Sequence, residues 1–199
     1  MADRYEWRAF ASNLGLLEER LRRRAPVEGI AESDEIYVVS RHCDTENVKV
    51  RGGALDIKTL VKREGPLEQW SPAGKLSFPL AANLLEEKLF SLLGVPVPAL
   101  PEGDIEIATL VEQVLRQTDG LAVITLFKRR WKFSLNDCAC ELADVRVNGA
   151  LLRSACVEAE NPDAVLALAA ELGLDAYTNT SYVSALRQVV GFVPVAMPW

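Results

Sequence analysis

Polar and apolar residues alternate from the start of the chain, in Arg4-Tyr5-Glu6-Trp7-Arg8-Ala9-Phe10. Side chains two apart on a strand share a face, so this period predicts a strand over 4–11 with one charged and one apolar side. Leucines at 14, 16, 17 and 21, set among Glu18, Glu19 and several arginines, follow helical spacing as far as Arg24, and Pro26 and Gly29 end that helix. Three short runs rich in β-branched residues come next: Glu35–Arg41, Asn47–Arg51 and Ala54–Val61. Gly52-Gly53 between the last two is a hairpin signal. From Pro66 to Pro79 glycine and proline interrupt the pattern around Trp70 and Lys75, which leaves an irregular edge strand or a long loop.

Helical spacing returns over 84–93, stopping at Gly94, and over 105–117, stopping at Asp119-Gly120, with a stiff proline-rich connection between them. Leu121–Leu135 begins apolar (LAVITLF) and turns basic (KRRWKF), as a long strand does when it leaves a core for a polar site. Strands are predicted over 139–148 and 151–160, joined by a tight turn at Asn148-Gly149. Two helices close the chain, one over 164–172, led by Asn161 and Pro162 and ended by Gly173, the other over 181–190. The result is an α+β chain of seven or eight antiparallel strands with helices inserted between and after them. It reads as one domain over 1–199 with a helical insertion near 81–119 and no internal repeat.

Composition narrows the class. Apolar residues at 49% and charged residues at 25% match a soluble globular protein long enough to bury a full core. No apolar run reaches the roughly 18 residues of a membrane span. The opening MADRYEWRAF lacks the apolar stretch of a signal peptide, so a cytoplasmic protein with no membrane partner is expected. Cys43, Cys138, Cys140 and Cys156, with His42 as the one histidine, supply neither a secreted disulfide framework nor a zinc ligand set. A net charge of −6 argues against general nucleic-acid binding, which relies on a broad basic surface.

Within that acidic balance the basic residues gather at strand spacing: Arg4 and Arg8, Lys49 and Arg51, Lys58, then Lys128, Arg130 and Lys132. Glu158 and Glu160 form a carboxylate pair with the same spacing. If these faces converge inside a closed sheet, they line a chamber suited to a polyphosphate held with a divalent metal, and a barrel of about eight strands has room for one small ligand. Inward cations are tolerable only beside carboxylates, for which Glu6, Asp56, Glu158 and Glu160 are available, or beside an anionic ligand. The same carboxylates are suitable oxygen donors for Mg²⁺ or Mn²⁺. On solvent-facing strands the identical spacing would be a solubilising stripe and nothing more.

Lys128 with RRWKF, then CELADVRVNG, SACVEAENPDAVLALAAELGL and TSYVSAL, resemble the CYTH domain of the triphosphate tunnel metalloenzymes. That family includes thiamine triphosphatases, inorganic triphosphatases and a bacterial class of adenylyl cyclases. The resemblance implies an eight-stranded antiparallel β-barrel with peripheral helices, a tunnel for a small-molecule triphosphate, and Mg²⁺ or Mn²⁺ as cofactor. By position it implies Arg8, Lys49, Arg51, Lys58, Lys128 and Arg130 as substrate-binding residues and Glu6, Glu158 and Glu160 as metal ligands. Arg4 stands where the family has the first glutamate of its E-x-E-x-K motif, which reverses charge at a metal-binding position. Leu142-Ala143-Asp144-Val145 departs from Leu-Asp-Glu-Val, with Asp144 or Glu141 as the candidate to compensate. The leading reading is a metal-dependent hydrolase of a triphosphate compound. The alternatives are a cyclase-like conversion of ATP to cyclic AMP and a binding module without turnover, in which Arg4 takes the place of a metal. The uncharged tail FVPVAMPW suggests packing on the barrel or a homodimer contact.

Overall fold

The structure is a computed structural model that describes residues 3–147 and 149–194. Its strands are β1 (Arg4–Ala11), β2 (Gly29–Ser40), β3 (Glu46–Arg51), β4 (Ala54–Glu64), β5 (Leu67–Ser77), the short β6 (Leu80–Ala81) and β7 (Asp104–Ile105), and then β8 (Leu121–Leu135), β9 (Cys138–Val147) and β10 (Ala150–Ala159). Eight of them close into a barrel in the order β1-β10-β9-β8-β2-β3-β4-β5, while β6 and β7 pair separately. Every pairing in the wall is antiparallel, and β5 returns to β1 through Arg4 opposite Trp70 and Glu6 opposite Glu68.

Alternation along the strands produces two different faces. The outward residues of β1, β9 and β10, such as Trp7, Leu142 and Val157, are buried under helices α1 (Leu16–Arg24) and α4 (Pro162–Leu172). Outward residues of β2, β3 and β4, among them Val38, Val50 and Ile57, are buried under α2 (82–93) and α3 (107–117), the helical insertion predicted near 81–119. Both insertion helices contain a wider π turn, at Glu86–Phe90 and at Leu110–Val114. The start of α4 follows from its sequence: the Asn161 side chain accepts a hydrogen bond from the Asp163 backbone N–H at 2.9 Å, and Pro162 occupies the first turn. Gly173 ends it at φ 77°, a conformation that favours glycine.

Two segments differ from the sequence reading. β2 begins at Gly29, ahead of the β-branched stretch, because the long β8 carries its partner with it and pairs Gly29 with Lys132 and Ser33 with Lys128. The interrupted stretch around Trp70 is neither loop nor edge: as β5 it closes the barrel, bonding to β4 on one side and β1 on the other. Register shifts on the β4 side, between Ile57 and Lys58 and between Leu60 and Lys62, absorb its irregularity. Asn148 of the predicted tight turn lies outside the described residues, as do 195–199 of the apolar tail. Phe192 is described, and its ring lies under the Arg41 guanidinium at 4.7 Å. Among the described residues no helix is long and apolar enough to cross a membrane.

One end of the barrel is filled. Phe10, Tyr37, Val39, Ile124 and Leu126 meet there with Tyr182 and Leu186 of α5 (Tyr182–Val189). Ser181 caps this helix by accepting from the Ser184 N–H at 3.3 Å. Tyr182 stacks on Tyr37, ring centroids 5.6 Å apart, and meets Phe10 edge-on at 4.9 Å.

Candidate functional site

Above that aromatic floor the inward faces of the strands enclose a cavity of about 390 Å³. Eight cationic side chains line it: Arg4 and Arg8 from β1, Lys49 and Arg51 from β3, Lys58 from β4, and Lys128, Arg130 and Lys132 from β8. Four carboxylates share the lining, Glu6, Glu28, Glu141 and Glu158. All six residues assigned to substrate binding from the sequence are therefore brought to one chamber, together with two of the three assigned to metal. Glu160 stands apart from them. It follows the last residue of β10, is exposed, and borders a recess at the rim with Arg4, Asp137 and Glu158.

The deepest charges centre on Glu35, which has no exposed surface. Its carboxylate lies 2.9 Å from the Lys128 ammonium, 3.5 Å from Lys49 and from Arg51, and 3.6 Å from Arg130. Burial pushes this carboxyl upward, but Lys128, Lys49 and Arg130 outweigh burial and hold it well below the usual carboxylate range. Lys128 also donates to the Tyr37 hydroxyl at 2.7 Å and lies 3.4 Å from the centre of the Tyr182 ring. Burial pulls the Lys128 and Lys49 ammonium groups below their ordinary value, with Glu35 opposing the shift in both. Arg130 donates to the Ser33 hydroxyl at 2.9 Å, and Arg51 is shared between Glu35 and Asp56, the latter at 2.9 Å.

Nearer the mouth, β1 and β10 run side by side with Glu6 opposite Glu158 and Arg8 opposite Cys156. Ligand atoms of Glu6, Cys156 and Glu158 all lie within 4.8 Å of one another. Burial keeps the Cys156 thiol protonated, far above its usual range, so the donors offered to a cation are carboxylate oxygens. Two hard oxygen donors suit Mg²⁺ or Mn²⁺, which take one or two protein carboxylates together with phosphate oxygens and water. Each carboxylate also has an arginine: Glu6 accepts from Arg8 Nε at 3.0 Å and Glu158 from Arg4 Nη1 at 2.9 Å. Burial raises the Glu6 carboxyl, but Arg8 more than offsets this and the group lies below its ordinary value. Arg8 Nη1 is further bonded to Ser154 Oγ at 3.1 Å and to Glu141 at 3.2 Å.

Strand register decides between the two acids of β9. Glu141 faces the cavity and Arg8, whereas Asp144 points outward to Arg153 at 3.1 Å. Sequence reasoning passed over Glu35, Tyr37 and Tyr182. The two-residue spacing Ser33-Glu35-Tyr37 was a usable signal for the first two, and Tyr182 lies on a helix whose position only the tertiary fold fixes. Beside the main cavity a bay of about 440 Å³ shares Arg4, Glu6 and Glu158 and is walled on the β4 and β5 side by Ile57, Pro72, Ala73 and Gly74.

No family model matches this chain, and no curated protein matches it in sequence. Among solved structures it is similar to the PH1012 protein of Pyrococcus horikoshii OT3, at 17% identity and a TM-score of 0.51, over 90% of this chain and 97% of that one. A conserved hypothetical protein of Pyrococcus furiosus aligns at 15% identity and a TM-score of 0.51, over 89% of this chain and 98% of its own. HpAC1 of Hippeastrum, an adenylyl cyclase candidate described as having a dominant triphosphatase activity, aligns at 11% identity and a TM-score of 0.53, over 98% and 100% of the two chains. At these identities the likeness is one of fold.

Proposed function

We propose that this protein is a metal-dependent hydrolase that takes the triphosphate group of a small molecule into its barrel and releases a diphosphate compound and phosphate. The observation that carries the reading is the convergence of eight cationic side chains on one cavity against four lining carboxylates, with Glu35 and Asp56 paired behind them, which still leaves cations in excess. Desolvating such an excess of like charge is costly unless an anion joins it, and a triphosphate supplies several negative charges along a narrow rod. The triphosphatase activity ascribed to the Hippeastrum neighbour, which has this fold over its whole length, supports the same class of substrate.

In this reading Lys128, Lys49, Arg51 and Arg130 hold the innermost phosphate oxygens in exchange for part of their contact with Glu35, and Arg8 and Lys58 hold those nearer the mouth. The organic part of the substrate lies in the bay beside Pro72 and Gly74, whose apolar wall suits a ring better than a phosphate. A divalent cation held by Glu6 and Glu158 would neutralise charge developing on the phosphoryl group. The protein's own contribution is alignment: cations held on the barrel wall, with Arg8 and Lys128 buried, need little reorganisation as charge moves to the leaving oxygen.

The test is phosphate release from tripolyphosphate, thiamine triphosphate and ATP with Mg²⁺, with Mn²⁺ and with EDTA. Turnover should require metal and fall by about 100-fold or more in Glu158→Gln and in Lys128→Ala, the scale of losing one electrostatic stabiliser of the transition state. Pyrophosphate with cyclic AMP from ATP would make the protein a cyclase instead. Tripolyphosphate binding without turnover on any substrate would reduce it to a binding module.

A further inference from the structure

Arg4 holds one of the two carboxylates that a divalent cation at this seat would use. Arg4 Nη1 bonds Glu158 Oε1 at 2.9 Å, and Glu158 is one of the two acids whose oxygens converge. The other, Glu6, is held by Arg8. Arg4, Arg8 and the neighbouring Lys58 offset Glu6, Glu158 and Glu141, so a cation approaching this seat meets little net attraction, whereas bare carboxylates would draw it in.

The two arginines differ in how firmly they are held. The Arg8 side chain is 8% exposed and is also tied to Glu141 and Ser154. That of Arg4 is 49% exposed and projects at the mouth, with Glu158 as its ion-pair partner. An exposed pair of this kind is cheap to break, and a guanidinium binds phosphate oxygens as readily as a carboxylate. Arg4 can therefore leave Glu158 without disturbing the wall, and Arg8 cannot leave Glu6 on the same terms.

We propose that Arg4 is a latch on the metal seat. In the free protein its guanidinium occupies Glu158 and keeps a divalent cation out. An arriving triphosphate draws Arg4 onto a phosphate oxygen and so frees Glu158 for the metal. Metal and triphosphate then bind as a coupled pair, each raising the affinity for the other. The handover to phosphate rests on the triphosphate reading, while the exclusion of metal is a property of the free protein.

Two measurements separate these parts. Mn²⁺ binding to the free protein, followed by the electron paramagnetic resonance of the unbound ion, is compared in wild type, Arg4→Gln, Arg4→Lys and Arg4→Gln/Glu158→Gln. Removing one positive charge beside the seat should tighten Mn²⁺ binding by about tenfold or more in Arg4→Gln. Arg4→Lys should stay close to wild type, and the double variant should lose the gain. Equal Mn²⁺ affinity in wild type and Arg4→Gln, or a gain that survives Glu158→Gln, overturns the latch. Tripolyphosphate binding in EDTA, followed by calorimetry, should weaken several-fold in Arg4→Gln, and an unchanged affinity overturns the handover. Absence of tripolyphosphate binding in both proteins overturns the tunnel reading and the handover together, with the Mn²⁺ comparison still deciding the latch.

Discussion

Glu35 lies with no exposed surface among Lys128, Lys49, Arg51 and Arg130, all within 3.6 Å. It acts as the internal anion that makes so many inward cations tolerable. Glu35→Gln should therefore destabilise the protein by about 3–5 kcal/mol, the cost of leaving buried charge unpaired, as read from urea unfolding. Tripolyphosphate should stabilise that variant more than it stabilises wild type, since the ligand replaces the missing charge, and an equal effect on both would remove Glu35 from this role. The pH dependence follows from the direction of its shift. A carboxyl whose folded pKa is depressed contributes stability that is complete above the unfolded value, about 4.3, and is lost as pH falls below it. Wild type should lose stability steeply below about pH 4, and Glu35→Gln should show a shallower acid limb. The sequence displayed the cations plainly because they repeat at strand spacing. It hid Glu35 because Glu32 and Asp34 just before it make an acidic cluster at the head of an apolar run, which looks like a strand boundary unless the Ser33-Glu35-Tyr37 spacing is followed through it; its pairing opposite Leu126 on β8 places it in the wall. The choice between Glu141 and Asp144 was hidden for a related reason: adjacent parities on one strand differ only by register.

The elements legible in advance were those with local signals, such as the Gly52-Gly53 hairpin and the Asn161 cap. β5 was legible only as an irregular edge strand or a long loop, because proline and glycine weaken its pattern and the second partner that makes it a closing strand, β1, lies far away in the chain. The role of α5 was equally non-local. Its spacing marks a helix, but nothing local says that Tyr182 closes the barrel against Tyr37 and Phe10. Tyr182→Phe keeps every ring contact and gives up a hydroxyl that has no hydrogen-bond partner among the described residues, so stability should change by less than about 1 kcal/mol. Tyr182→Ala opens a void under Lys128 and should cost about 3–5 kcal/mol in thermal or urea unfolding. A small loss in Tyr182→Ala would mean that α5 rests on the barrel without sealing it.

At the scale of the whole molecule, an acidic protein of net charge −6 encloses a cationic interior. The overall charge sums every ionisable group and so hides how cations gather inside the barrel while acids predominate elsewhere, and the fields of separate exposed groups are screened within about 10 Å at ordinary salt. The aromatic floor has a further consequence. A bore stopped at one end admits and discharges through the same doorway, so its contents move in single file. On the triphosphatase reading proposed above, a rod-shaped substrate entering by its terminal phosphate leaves the cleaved phosphate behind the larger fragment, like the first passenger into a lift. The diphosphate product should therefore depart first and phosphate last. Inorganic phosphate, as the last to leave, should then be the product that competes with substrate in steady-state inhibition; competition by the diphosphate compound alone would mean that the bore drains at both ends.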